Sequence, residues 1–367
     1  MGVRARALAN VGVDPGFWAG RRVLVTGHTG FKGTWLVLWL RALGAEVSGF
    51  SSTVPTDPSL YALTGAGDGV TDLRGDIRDA DTVAQAIRRS EPEIVIHMAA
   101  QPFVRRSFRD PHETYETNVM GTVNLLDAVL AGDGICAVVN VTSDKCYDNP
   151  PDRPPRPFVE DDPKGGHDPY SSSKGCAELV ADAYGRSFFA PNPDGPRLGS
   201  ARAGNVIGGG DWGEDRLIPD VMRAAMSGGA VPIRNPEAVR PWQHVLNPLS
   251  GYLVLAQALA ADPGSQGGWN FGPVGEDART VRWIAERIGD RWDGPIDWAL
   301  DPGPHSHEAH HLALDSTKAR ERLGWAPAWD LGQTLDAIVD WYAALRDGAD
   351  MREVTLTQIE SFARAAR

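Results

Sequence analysis

From residue 21 onward the chain alternates short apolar runs with amphipathic stretches. Val23-Leu24-Val25 is apolar without interruption, as a strand buried on both faces is, and a glycine-rich turn separates it from a helical periodicity over 31–43. The same reading gives strands at 46–50, 93–97, 137–142 and 198–204, and helices at 79–89, 111–130 and 170–189. Strands alternating with helices of this length predict right-handed βαβ units. The expected fold is α/β, with a doubly wound parallel sheet covered on both faces.

After about Asn205 the texture changes. Gly208-Gly209-Gly210, scattered prolines and short apolar pieces run to Pro241, and helical patterns return at 248–259, 281–288, 316–323 and 331–345. This predicts a smaller C-terminal α/β cap against the open edge of the sheet. The proline-rich stretch 149–163 reads as a loop.

Composition narrows the function classes. The 367 residues carry 48 acidic and 36 basic side chains, a net charge of −12, which argues against a nucleic-acid binder that must neutralise phosphates. It leaves room for a small anionic ligand held by local positive charge. No apolar run approaches the roughly 20 residues of a membrane span, and residues 1–20 lack the apolar core of a signal peptide. Cys136, Cys146 and Cys176 are odd in number and lack zinc-site spacing, so a reducing compartment, the cytoplasm, is expected. Twelve tryptophans suit an aromatic-walled cleft or a tryptophan-rich core, and composition does not choose between them.

The first βα turn carries the chemistry of a Rossmann sheet. In Thr26-Gly27-His28-Thr29-Gly30-Phe31-Lys32-Gly33, Gly27 permits the tight turn, Gly30 a close backbone approach and Gly33 close helix–strand packing. A dinucleotide pyrophosphate then faces the helix N-terminus. The second strand ends Gly49-Phe50-Ser51-Ser52, without the carboxylate that would read ribose hydroxyls, and the absence of an arginine for a 2′-phosphate leans slightly to NAD. Asp76-Ile77 is placed to hold the adenine edge. Tyr170 and Lys174 lie one helical turn apart, so the ammonium is expected to lower the phenol pKa from about 10. Such a base can take a hydroxyl proton while hydride leaves the same carbon. Ser143, just past a strand end, can hydrogen-bond that hydroxyl. Asp144 and Lys145 add an acid and a base beyond what alcohol oxidation needs.

Together these residues resemble the extended short-chain dehydrogenase/reductase family, and within it the nucleotide-sugar 4,6-dehydratases. The matching segments are 25–33, 97–101, Asn118 with 121–122, 142–147, 170–174, 202–212, 240–245 and 269–273. Most such dehydratases have Thr-Asp-Glu where this chain has Ser143-Asp144-Lys145, and the departure resembles the branch that acts on CDP-glucose. The resemblance implies NAD contacts from Gly27, Thr29, Gly30, Phe31, Lys32, Gly33, Ser51, Asp76, Ile77, Ala99, Ala100, Gln101, Asn118, Tyr170 and Lys174. It implies substrate contacts from Asn205, Arg216, Leu217 and Arg240, and catalysis by Ser143, Asp144, Lys145, Tyr170 and Lys174.

The implied reaction turns CDP-D-glucose into CDP-4-keto-6-deoxy-D-glucose by C4 oxidation, loss of water across C5 and C6, and hydride return to C6. The alternatives are the same chemistry on a UDP-, dTDP- or GDP-sugar, a 4-epimerase, or a non-catalytic NAD-binding regulator. Asp144-Lys145 argues against the epimerase, and the full set of Ser143, Tyr170 and Lys174 against the regulator. The implied domains are an NAD-binding Rossmann domain over 21–204 with 241–262 contributing, a substrate-binding cap from 205–240 and 263–350, and an N-terminal extension over 1–20. The resemblance also implies a homodimer or homotetramer built through a four-helix bundle, from the helices holding Asn118 and Lys174. His307-Glu308-Ala309-His310-His311 fits the H-E-x-x-H zinc signature, but Pro302, Gly303 and Pro304 precede it in a parallel-sheet chain, and no metal is expected.

Overall fold

The structure, a computed structural model, describes residues 12–366 except 151–152, 154–155, 274, 293–295, 302 and 304–311. The His307–His311 segment lies outside the described residues. The strands are β1 (Arg22–Thr26), β2 (Glu46–Ser51), β3 (Thr71–Arg74), β4 (Ile94–His97), β5 (Ala137–Val141), β6 (Arg197–Arg202), β7 (Val206–Ile207), β8 (Val231–Ile233), β9 (Val239–Pro241), β10 (Gln243–His244), β11 (Gly267–Asn270), β12 (Ala278–Thr280) and β13 (Trp298–Leu300). The helices are α1 (Pro15–Trp18), α2 (Phe31–Ala42), α3 (Leu60–Leu63), α4 (Ala80–Ser90), α5 (Val104–Arg109), α6 (Pro111–Tyr115), α7 (Gly121–Leu130), α8 (Pro169–Tyr184), α9 (Leu217–Ser227), α10 (Leu246–Ala261), α11 (Val281–Arg291), α12 (Thr317–Leu323), α13 (Leu331–Arg346) and α14 (Met351–Ala365).

Seven strands form one parallel sheet in the order β11-β6-β5-β4-β1-β2-β3. The order reverses between β1 and β4, where Thr26 pairs with His97, and a ligand crevice opens at such a switch point. Every residue of β4 and β5 is buried, because helices cover both faces. That burial is why their sequences read as unbroken apolar runs. On one face α2 and α10 pack through Trp35, Leu38, Leu249 and Leu253. On the other, α4, α7 and α8 contribute Val83, Ile87, Leu126, Val129 and Ala181.

The structure corrects the expected cap. Residues 267–270 pair with β6 as the edge strand of the main sheet and do not belong to the cap. α14, beyond the last expected helix, packs back onto α2. The rest of the C-terminal region combines the small pairs β7·β10, β8·β13 and β9·β12 with α9, α11, α12 and α13. The tryptophan count is also resolved. Ten are buried, and of these only Trp212 and Trp242 line the cleft, so the excess fills the core. Among the described residues no helix is long and apolar enough to cross a membrane.

Candidate active site

A cleft of about 1020 Å³ runs along the C-terminal ends of the central strands. At one end sits the glycine turn. Gly27 has φ +73°, and a Cβ there would lie 2.8 Å from the Ala99 nitrogen; a Cβ on Gly33 would lie 2.1 Å from the Gly27 carbonyl oxygen. The turn and α2 therefore interlock only without side chains, and Gly30 caps the helix without a side chain between its N–H groups and the cleft. The Thr26 hydroxyl accepts from the Met98 and Ala99 N–H groups at 3.1 Å each, which sets the loop after β4 beside the turn. Thr29, Phe31, Lys32, Ser51, Asp76, Ile77, Ala99, Ala100 and Gln101 line the same stretch. A backbone cradle at a helix N-terminus, with an elongated cleft leading to Tyr170, fits a dinucleotide.

Three details depart from expectation. Asn118 does not line the cleft: its amide is spent on the Gln101 N–H (2.8 Å), the Gln101 carbonyl (3.1 Å) and the Ser173 hydroxyl (2.9 Å), so it holds cleft-lining Gln101 from behind. Ser51 is 3.0 Å from His28 Nδ1, and His28 Nε2 reaches Asp72 at 3.1 Å, a relay from buried Ser51 and His28 to an exposed carboxylate that the spacing of the motif does not show. Lys32 donates to the Tyr252 hydroxyl at 3.0 Å, and burial together with the charges of Lys174 and Arg216 pulls its pKa down to about 7.

The reacting end is built by α8 and by the turn after β5. Asp168 caps α8 by accepting from the Ser171 N–H, and Pro169 opens the helix, which puts Tyr170 in its first turn and Lys174 one turn on. The expected fall in the phenol pKa is reversed. Burial raises Tyr170 to about 12 against the Ser143 hydrogen bond, and Asp144 and Asp168 push the same way. Lys174 donates to the Val141 carbonyl at 3.5 Å, and burial lowers it to about 8 while Glu178 works against that. Past Val141 the chain enters a tight turn over Asp144–Cys146. Ser143 donates to Asp144 Oδ1 at 2.9 Å, and burial raises the Asp144 pKa against the opposing charge of Lys145. The carboxyl rests on Gly204, where a Cβ would meet Asp144 Oδ2 at 1.8 Å.

The substrate-side candidates converge here as well. Asn205, Arg216, Leu217 and Arg240 all line the cleft. Arg216 pairs with Asp211 at 3.0 Å and lies 5.1 Å over the Phe103 ring. Sequence reasoning missed Arg105, Arg153, Arg234 and Asn235, which line the same wall. Arg105 lies on α5 and the other three in loops, none at a fixed spacing to any motif, and only the folded chain brings them together. Among the described residues no cluster suited to a metal ion occurs.

Residues 23–271 match the family described as "NAD dependent epimerase/dehydratase family". Over 358 residues the chain is 51% identical to a CDP-glucose 4,6-dehydratase from Salmonella typhimurium, covering 95% of this chain and 98% of that protein. Among solved structures, a dTDP-glucose 4,6-dehydratase from Streptomyces venezuelae with NAD and TYD bound superposes with a TM-score of 0.75 at 27% identity, over 89% of this chain and 98% of the other. A UDP-glucose 4-epimerase from Thermus thermophilus in complex with NAD gives a TM-score of 0.75 at 26% identity, over 88% and 99%. With the glycine cradle, the Tyr170–Lys174 pair and the parallel sheet all in place, the chain belongs to the NAD dependent epimerase/dehydratase family.

Proposed function

We propose that this protein is a lyase that uses NAD to dehydrate CDP-D-glucose to CDP-4-keto-6-deoxy-D-glucose. The observation that carries the reading is the 51% identity, over 95% of the chain, to a CDP-glucose 4,6-dehydratase. The buried Asp144 beside Ser143 and Lys145 gives it a chemical basis, since an epimerase expels no water and needs no such acid.

NAD, when bound, supplies the acceptor for the C4 hydrogen as hydride and the donor that later returns it to C6. The remaining steps are the chain's own. Tyr170 takes the C4 hydroxyl proton, with Ser143 holding that oxygen and the charge of Lys174 favouring the phenolate. The C4 ketone acidifies the C5–H; the Lys145 amine takes that proton, and the electron pair left on C5 expels the C6 oxygen. Asp144, whose pKa burial raises, delivers its proton to the departing C6 hydroxyl, which leaves as water. Arg216 and Arg240 hold the diphosphate, which an arginine fork can bind bidentately. Residues Gly27, Thr29, Gly30, Phe31, Lys32, Gly33, Ser51, Asp76, Ile77, Ala99, Ala100 and Gln101 form the NAD side, with Asn118 behind them.

Incubation with CDP-glucose and with its UDP, dTDP and GDP analogues, followed by NMR of the products, tests the reading. The expected result is a C6 methyl group formed from CDP-glucose in preference to the others. No methyl signal from any of them overturns it.

The catalytic unit divides into a Rossmann part, 21–204 with 241–262 and β11, and a cap from 205–240 and the rest of 263–350. Apolar side chains stand exposed on α5, α8 and the turns beside them, with Phe108 at 54% and Leu179 at 60%, joined by Met120 and Phe188. We assign this face to a homodimer packed as a four-helix bundle, because a monomer rarely leaves such a patch in water. Sedimentation velocity is expected to give a dimer or tetramer that Leu179→Glu dissociates; a wild-type monomer overturns the assignment. The three free cysteines suit a cytoplasmic location.

A further inference from the structure

Beneath the turn that carries Ser143, Asp144 and Lys145 lies a buried ion pair that none of the chemical steps uses. Glu178 is one turn beyond Lys174 on α8, Arg202 ends β6, and both side chains are only 4% exposed. The guanidinium grips the carboxylate with both prongs, Nε to Oε1 at 2.9 Å and Nη2 to Oε2 at 2.7 Å. The same Oε1 accepts from the Thr142 hydroxyl, immediately before the turn. Arg202 Nη1 donates to the Tyr147 hydroxyl at 2.7 Å, immediately after the turn, and to the Glu160 carbonyl at 3.0 Å. The Tyr147 hydroxyl in turn donates to Asn270 Oδ1 at 2.7 Å, anchoring the network on β11.

The two ends of the catalytic turn are thus tied to the two halves of one ion pair, the front to the carboxylate and the back to the guanidinium. Neither Glu178 nor Arg202 lines the cleft. Desolvating both charges is costly, and an apolar pair of similar volume would hold the fold as well. What a fully satisfied polar network adds is a single geometry. We propose that Glu178 and Arg202 are positioning residues that clamp the turn at Thr142 and Tyr147, keeping Ser143 and Asp144 aligned with Tyr170. The inference rests on the dehydratase reading above for its catalytic consequence and on the hydrogen-bond geometry for its structural one.

Thr142→Val removes only the front tie and keeps the side-chain volume. The holoenzyme variant is expected to lose about tenfold in kcat for CDP-glucose with KM within about twofold, since misplacing reacting groups costs rate more than binding. Thr142→Ser, which keeps the hydroxyl, is expected to restore kcat to within about threefold of wild type. In a Glu178→Met background, which has no oxygen to accept from Thr142, Thr142→Val should add no further loss. An unchanged kcat in Thr142→Val, an equal defect in Thr142→Ser, or fully multiplying losses overturns the proposal. Amide hydrogen exchange over 143–147 separates the structural clamp from its catalytic consequence. Thr142→Val should speed it and Thr142→Ser should not, whatever substrate the wild type converts. Unchanged exchange in Thr142→Val overturns the clamp, whereas a wild type inert toward every nucleotide sugar overturns the dehydratase reading alone.

Discussion

Tyr170→Phe is expected to lower kcat by about 10²–10⁴-fold, the range for loss of a positioned general base. The phenyl ring fills the same volume but cannot take the C4 hydroxyl proton, so the reaction stops at its first step. Substrate affinity should fall by less than about tenfold, since at most one hydrogen bond to the sugar is lost. The pH profile carries the mechanism. Oxidation needs the deprotonated phenol, and burial raises the phenol to about 12, so the wild-type rate of C4 oxidation climbs with pH on its acid side. Lys174 must keep its charge to favour the phenolate, and burial has lowered it to about 8, so the climb should flatten above that pH. Tyr170→Phe should lose the climb altogether. Deuterium transfer from C4 of the substrate to C6 of the product, followed across pH, reads this directly. A variant rate within tenfold of wild type removes Tyr170 from the role of base.

The parts of this site legible in sequence are those where backbone geometry or helical spacing leaves few residue types open. Gly27 and Gly33 could be read because any side chain there would strike Ala99 or the carbonyl of Gly27. Tyr170 and Lys174 could be read because four residues make one helical turn. The strands were legible as apolar runs because both faces of β4 and β5 are covered. The phenol pKa was not legible, because spacing reports the partner and only packing reports desolvation, the larger effect here. Nor was the inward turn of Asn118, whose partners Gln101 and Ser173 lie on separate elements. Gly267-Gly268-Trp269-Asn270 was too short and too glycine-rich to read as a strand, and only its pairing with β6 makes it one. α14 did carry a signal, since Met351, Thr355, Ile359 and Phe362 recur at helical spacing and are the buried positions.

Asp144→Asn is expected to leave C4 oxidation running while slowing loss of water by about 10²–10⁴-fold. The amide keeps the shape and the contact with Ser143, but it has no proton acidic enough for the departing C6 oxygen. Mass spectrometry of a quenched reaction should therefore find a C4-oxidised sugar nucleotide that still holds its C6 oxygen. The pH dependence has the opposite sign to that of Tyr170. Elimination uses the protonated carboxyl, so burial's upward push on the Asp144 pKa extends activity toward neutral pH, and the wild-type rate falls as pH rises through the raised value. That descending limb should vanish in the variant. Linkage supplies the control for unfolding. A carboxyl whose folded pKa lies above its unfolded value destabilises the fold increasingly as pH rises through the gap, and most strongly above the folded value. Asparagine carries no such cost, so Tm at about pH 8 should equal or exceed that of wild type, and the lost elimination cannot be ascribed to a damaged fold. Gly204→Ala reaches the same carboxyl by another route, because its methyl group would occupy the place of Oδ2. It should give the same accumulated ketone with Asp144 intact. If Asp144→Asn turns over within tenfold of wild type, the proton for C6 comes from another group.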